Sequence, residues 1–459
     1  MAQGFKVIVV GGSIAGLTLA HCLERLGINY ELLEKSSQVS PQMGASVGIL
    51  PNGARILDQL GLFDAMEAEI EPMTLSRIRY PDNGGFESHY PTVLESAFGY
   101  PVSFLERRML LAILYENLRH KKRVHLSSKV TSLEQGTSTV TVKTESGDRY
   151  SGHLVVGADG VHSIVRSEVQ RRLRAVSRAD AALRTESEES NLKVQYSCIY
   201  GMSMVPGLQG GLQTSLLDYR VTIHCFQGKQ GKFFWFVVVK NEGSGPHDFS
   251  AEAGHRICES LRGKKLSSTL TFGDIWCRRT MCIMTPLEEG FFTRWSSGRL
   301  MCIGDAVRKV APNSGQGANM AIEDAAALAN ALHGSDLDAL MQTETEMDRL
   351  MRQINTAQLD RTRNMCAHSA FVVRMQSHND CALYLLSRYV VPAFRDIPAA
   401  LAADTIKDAC LLNFLERPER ARREVPCLNL VALLPRAHLL VALLGVAAVI
   451  LGWYAAASR

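Results

Sequence analysis

The chain opens on a change of hydrophobic period. Lys6 to Val10 is a short apolar, β-branched run, Ala15 to Leu26 places apolar side chains at helical spacing, and "NYELLE" returns to a strand pattern. Strand, helix and strand within ~30 residues predict a β-α-β unit. Further on, "TSTVTVKTESG" and "YSGHLVV" alternate as strands do and run into "LVVGADGVHSIVR". The stretch "GRLMCIGDAVRKVAPNSGQGANMAIEDAAALA", Gly298 to Ala329, repeats the opening logic. An apolar strand is predicted to end at Gly304-Asp305, with a glycine-rich loop next and a helix from near Gly317.

Between Asn191 and Lys240 the runs "LKVQYSCIYGMSM", "YRVTIHCF" and "KFFWFVVVK" alternate and are rich in Val, Tyr, Phe and Trp, which predicts an antiparallel sheet. Tyr196, Phe226, Phe234, Trp235 and Phe236 are expected in its core. The polar, punctuated segment Arg174 to Asn191 predicts a mobile loop near a pocket mouth, and Leu337 to about Arg423 is mainly helical in spacing. "AHLLVALLGVAAVILGWYAAA", Ala437 to Ala457, then supplies about 20 nearly uncharged residues, enough to cross a ~30 Å hydrocarbon layer. A buried core helix of that length without a polar face is the less common solution. Arg417, Arg420, Arg422, Arg423 and Arg436 precede the run and only Arg459 follows, so the positive-inside rule predicts a single-pass C-terminal anchor with the body in the cytosol.

The glycines say what the first unit is for. Gly11 permits a tight turn out of the strand, Gly12 and the small Ser13 let backbone approach a pyrophosphate, and Gly16 allows close helix packing. Amides at the helix start meet phosphate charge, and Glu34, ending the second strand, is placed to accept from ribose hydroxyls. A dinucleotide site is predicted. Asp159-Gly160 alone is equally a strand ending in a polar turn. Asp305 is suited to a sugar-like polyol, and the free amides around Gly315, Gly317 and Ala318 to an electron-rich ring edge.

Composition narrows the class. With 459 residues the chain can build more than one domain, and a net charge of +4 without a long basic block does not fit nucleic acid. The 11 cysteines contain no C-x-x-C pair and no His cluster at metal spacing, so reduced thiols are expected and no metal site. A second glycine fingerprint is absent.

These three motifs together resemble the FAD-dependent aromatic hydroxylase and epoxidase group of flavoprotein monooxygenases, over roughly residues 5 to 370. The resemblance implies that the first motif holds the ADP half of FAD, that Asp159-Gly160 serves FAD and a visiting NADPH, and that Gly304-Asp305 holds the ribityl chain. Gly48 in "GASVGILPNGARIL", Arg107 in "FLERRMLLAIL" and Ala318 match the family's other flavin contacts. It implies a flavin C4a-hydroperoxide, formed from NADPH and O2, as the oxidant. Ser13 departs from the strict glycine pattern.

More narrowly, "GGSIAGLTLAHCLERLGI", "GASVGILPNGARILDQLGL" and "PNSGQGANMAIEDAAALA" look like the fungal epoxidases of meroterpenoid and indole-diterpene biosynthesis. That implies a prenylated, hydrophobic substrate oxidised at a chain alkene, functional coupling to a membrane terpene cyclase, and attachment to the endoplasmic reticulum. No catalytic residue is assigned: an alkene has no proton to remove, and His224 and His255 stand isolated in sequence. Ring hydroxylation of a phenol, a noncatalytic prenyl-binding escort and an isoprenoid reductase are the alternatives.

The expected fold is α/β. A discontinuous Rossmann-type FAD-binding domain takes 1–80, 100–190 and 286–345, an inserted antiparallel-sheet substrate domain takes 81–99 and 191–285, a helical tail takes 346–430, and the membrane helix takes 437–457.

Overall fold

A computed structural model describes residues 4–40, 46–179, 192–243, 247–393 and 397–422. Its organising element is a six-stranded sheet in the order Ser296–Ser297, Leu300–Cys302, Leu154–Gly157, Lys6–Val10, Asn29–Leu33, Val124–His125. All pairings are parallel except the first, with Val7 opposite Leu154, Val10 opposite Gly157 and Gly157 opposite Cys302. Three neighbouring strands therefore end at the same edge, and Gly11, Asp159 and Gly304 follow their carboxyl ends. That edge is where open α/β sheets bind ligands. The helix Ile14–Leu26 crosses one face and packs on the helix Gln316–His333.

A three-stranded antiparallel sheet, Val130–Gln135, Val140–Thr144 and Arg149–Gly152, leads into the second of those strands. A separate eight-stranded sheet runs Arg308–Lys309, Arg279–Phe291, Lys193–Met204, Lys232–Lys240, Val221–Gln227, Leu212–Asp218, Leu75–Arg79, Gly85–Ser88. Period-two alternation gives each strand of this sheet two packing partners. Phe226, Phe234, Phe236 and Cys198 face Phe104, Leu50 and the helix Tyr90–Phe98. Phe233, Trp235, Val237 and Ile199 lie beneath the helices Ala251–Ser260 and Phe272–Trp276.

The sheet is wider than the stretch 191–285. Leu75–Arg79 joins it through a parallel pairing with Leu212–Asp218, and Arg279–Phe291 continues without a break toward the Gly-Asp segment and pairs with Arg308–Lys309. The segment Arg174 to Asn191 is not all loop. The helix Ile164–Ala179 runs into it because Val165, Val169 and Leu173, four apart, keep one side against the core; residues 180–191 lie outside the described residues. The tail is helical, dominated by Glu344–Gln376 and followed by shorter helices including Cys381–Leu385 and Ile397–Lys407. The expected membrane helix at 437–457 also lies outside the described residues, and among those described no helix is long and apolar enough to cross a membrane. Of the arginines expected to flank it, Arg420 is engaged with Glu67, its guanidinium donating at 2.6 and 3.0 Å.

Candidate functional site

The first motif is built by backbone contact that leaves no room for side chains. Gly11 adopts φ +107°, and a Cβ there would stand 2.4 Å from the Ala158 carbonyl oxygen. At Gly16 a Cβ would stand 1.9 Å from the Gly11 carbonyl oxygen. Strand, turn and helix are thus in backbone contact, which brings the helix N-terminus to the sheet edge. Ser13 occupies the N-cap in extended conformation, and its hydroxyl accepts from Arg107 Nη2 at 2.7 Å. Arg107 begins the helix Arg107–Glu116 and lies between two acidic groups. Burial lowers its pKa, while the charges of Asp305 and Glu34 oppose the shift. Glu34 Oε2 accepts the Gly12 N–H at 2.6 Å and Oε1 accepts the Ser36 N–H at 2.8 Å. The carboxylate is held at the sheet edge, and its remaining lone pairs suit ribose hydroxyls.

Asp159 caps the helix Ile164–Ala179, its Oδ2 accepting the Ile164 N–H at 2.8 Å. Its Oδ1 is buried without a partner among the described residues. Burial raises the Asp159 pKa, against the Ser163 hydroxyl and the helix N–H groups. Gly160 turns with φ +79°. In the third motif Gly304 sits against Ala15 and Ala321, and its N–H donates to Asp324 Oδ2 at 2.8 Å. Asp324 is clasped by Arg308, both of them buried, while the half-exposed Asp305 accepts from Lys309 Nζ at 2.7 Å. Burial is the largest single influence on the Lys309 ammonium and depresses it, but the charge and hydrogen bond of Asp305 together with the Glu288 charge outweigh it and the pKa is raised.

Gly315, at φ +65°, starts the helix Gln316–His333, whose first turn carries Gly317 and Ala318. Asn319, fully buried, sews this turn to Gly48. Its Nδ2 donates to the carbonyls of Gly48 and Gly315 at 3.1 and 2.7 Å, and its Oδ1 accepts the Leu50 N–H at 3.0 Å. One turn on, Glu323 accepts from Asn52 Nδ2 at 2.6 Å and from Arg361 at 2.6 and 2.8 Å. The sequence-predicted residues Gly11, Gly12, Ser13, Gly16, Glu34, Gly48, Arg107, Asp159, Gly160, Gly304, Asp305, Gly315, Gly317 and Ala318 thus come from one continuous edge of the molecule. Asn319, Asp324 and Arg308, which fix that edge, carry no motif signal.

The cradle fits FAD on its own geometry: turns a Cβ would fill, a helix N-terminus behind them, an acidic group ending the second strand, and an unpartnered buried carboxylate oxygen at Asp159. Replacing Glu34 with alanine removes a charged acceptor and is expected to weaken FAD binding about tenfold to a hundredfold in fluorescence titration of the apoprotein. An unchanged dissociation constant would contradict the assignment.

Across from Gly48 an aromatic wall begins. Phe104 stacks on Phe226 with centroids 3.6 Å apart, Phe236 meets Phe226 at 5.6 Å, and Tyr200 meets Phe236 at 5.2 Å. Burial, with Cys198 and the Asp305 charge, keeps the Tyr200 phenol protonated. His255 is exposed against Trp276, whereas His224 is buried, with Nδ1 2.8 Å from Ser215 Oγ and Nε2 3.0 Å from Asn313 Nδ2.

Burial pushes the His224 pKa down to about 4. A folded-state value below the unfolded ~6.5 means the unfolded chain binds the extra proton first, so stability falls as pH drops from 6.5 through 4. Between pH 7 and 4.5 the wild type is expected to lose about 2 kcal/mol more than His224→Gln. Parallel thermal-unfolding profiles would refute this.

Comparison with known proteins places these features. Residues 4–343 match the family described as FAD binding domain. The chain is 47% identical over 464 aligned positions to the FAD-dependent monooxygenase terM of Tolypocladium album, spanning 99% of this chain and 96% of that one. It is 46% identical over 432 positions to the FAD-dependent monooxygenase ltmM of Epichloe festucae (strain Fl1), spanning 92% and 90%. Among solved structures, Klebsiella pneumoniae HpxO complexed with FAD and uric acid aligns with TM-score 0.72 at 20% identity, over 88% of this chain and 97% of that one. A salicylate hydroxylase substrate complex aligns at 0.65 and 17%, over 88% and 98%. At such identities the solved structures speak for the fold.

Proposed function

Because this chain belongs to the FAD-dependent monooxygenases built on the FAD binding domain, we propose that it uses NADPH and O2 to epoxidise a prenyl-chain alkene of a meroterpenoid or indole-terpenoid intermediate. The observation that carries this reading is the wall of Phe104, Phe226 and Phe236 beside Gly48, with no strong base on it among the described residues. His224, the histidine on that face, titrates near 4 and is too weak a base to draw a proton from a phenol of pKa ~10. An electron-rich alkene needs no such proton transfer, whereas ring hydroxylation gains from phenolate.

When bound, FAD would supply the redox chemistry, hydride acceptance and oxygen activation. The protein binds and positions. Amides from Gly11 to Gly16 and the helix behind them would meet the pyrophosphate, Glu34 the ribose and Asp305 the polyol hydroxyls, with Asp159 serving FAD and the visiting NADPH. The first turn with Gly317 and Ala318 would hold the ring edge, and Asn319 locks the strand Ser46–Ile49 against that turn. The aromatic wall orients the chain and excludes water. A greasy substrate suits the apolar run 437–457 acting as a C-terminal anchor in the endoplasmic reticulum, with the body in the cytosol and coupled to a membrane terpene cyclase. Resistance of the full chain to carbonate extraction, lost on deleting 430–459, tests the anchor.

For the reaction itself, a prenylated phenol and its saturated-chain analogue are compared with the holoenzyme. Product formation coupled to NADPH oxidation only with the alkene supports epoxidation; equal coupling with the saturated chain would show ring hydroxylation.

A further inference from the structure

The substrate-sheet face is not uniformly apolar. Strand register puts Ser215 opposite His224 and Gln213 opposite Phe226, then His224 opposite Phe236 and Phe226 opposite Phe234. Directly opposed residues share a face, so Gln213, Ser215 and His224 form one polar corner of the wall otherwise made by Phe226, Phe234 and Phe236. Their hydrogen bonds run in a chain. Tyr90 OH donates to Gln213 Oε1 at 2.7 Å, Gln213 Nε2 to Ser215 Oγ at 3.4 Å, and Ser215 meets His224 Nδ1.

The chain ends on the loop that precedes Gly315. Asn313 Nδ2 donates to His224 Nε2 at 3.0 Å and to Gln376 Oε1 at 2.6 Å. An imidazole accepting at Nε2 carries its proton on Nδ1, so Ser215 accepts from it. Both donors of the Asn313 amide are thereby spent, and its Oδ1 is buried without a partner among the described residues. A buried amide oxygen left unpaired costs about 1–3 kcal/mol, and a ligand or an ordered water supplies the missing donor.

We propose that Asn313 Oδ1 accepts a hydrogen bond from an N–H or O–H on the polar head of the substrate, with His224 and Gln376 as positioning residues that hold the amide in the accepting orientation. The assignment rests on the proposed prenylated-aromatic substrate: the chain lies along the phenylalanines and the head sits at the polar corner. It is favoured over a donor on the flavin because every partner of the Asn313 amide belongs to the substrate sheet or the tail helix. His224 and Gln376 are not among the residues that build the dinucleotide cradle.

The test titrates the holoenzyme with 3-geranylindole and its N-methyl analogue, and with 2-geranylphenol and its methyl ether, reading dissociation constants from the flavin visible spectrum. Methylation in at least one pair is expected to weaken binding to the wild type about tenfold. Asn313→Leu is expected to bind both members of that pair equally, with FAD retention unchanged, and Gln376→Met to lose part of the discrimination. Equal binding of parent and methylated probes by the wild type overturns the assignment, and needs no variant to fold. Loss of FAD from Asn313→Leu with discrimination intact overturns it in favour of the flavin. If no probe perturbs the wild-type spectrum, the prenylated-aromatic reading fails, and the head-group assignment with it.

Discussion

Gly16→Ala is expected to yield a protein that no longer retains FAD and is destabilised by about 3 kcal/mol. The added methyl would stand 1.9 Å from the Gly11 carbonyl oxygen and 3.3 Å from Val9 Cγ1. Neither neighbour can yield: Gly11 is already wedged against Ala158, and Val9 lies in a strand paired on both sides, to Val156 and Leu32. Relief requires the helix Ile14–Leu26 to move off the sheet, which withdraws the amides meant for the pyrophosphate. The ratio of flavin to protein absorbance and the thermal midpoint report both effects. Gly4→Ala, where a Cβ meets nothing within 4 Å, is the control. Wild-type flavin content in Gly16→Ala would refute the cradle.

The second large effect is expected at the ion pair beneath the Gly-Asp motif. Arg308 and Asp324 are 3% and 2% exposed in their side chains, and the guanidinium also lies 5.1 Å from the Trp295 ring. Arg308→Met strands a carboxylate in the core and is expected to cost about 4 kcal/mol. In Arg308→Met with Asp324→Leu the stranded charge is gone, but the Gly304 N–H loses its acceptor, so about half the loss is expected to return. Thermal unfolding of both variants measures this. A double variant no more stable than the single one would contradict the charge-burial account.

Much of this was legible because local period and local chemistry agree. Lys6–Val10, Ile14–Leu26 and Asn29–Leu33 follow directly from the switch of period, and Gly11, Gly16 and Glu34 from what the turn between them must do. Asn319 and Asp324 were not legible. On the helix "QGANMAIEDAAALA" they look like a solvated stripe, and only the partners Gly48, 271 residues away, and Arg308, 16 residues away, make them structural. His224 reads as an isolated structural histidine in an alternating strand, and it is buried, but its partner Asn313, 89 residues distant, has no local signal. The parallel pairing of Leu75–Arg79 with Leu212–Asp218 has no local signature, since any alternating strand offers the same edge.

In the proposed reaction oxygen goes to the prenyl chain. Full-length enzyme in detergent, given NADPH, 18O2 and a prenylated aromatic, should yield a product whose mass fragments carry one labelled oxygen on the chain and none on the ring. Label on the ring would contradict the account: the flavin cradle would stand, and the enzyme would be an aromatic hydroxylase.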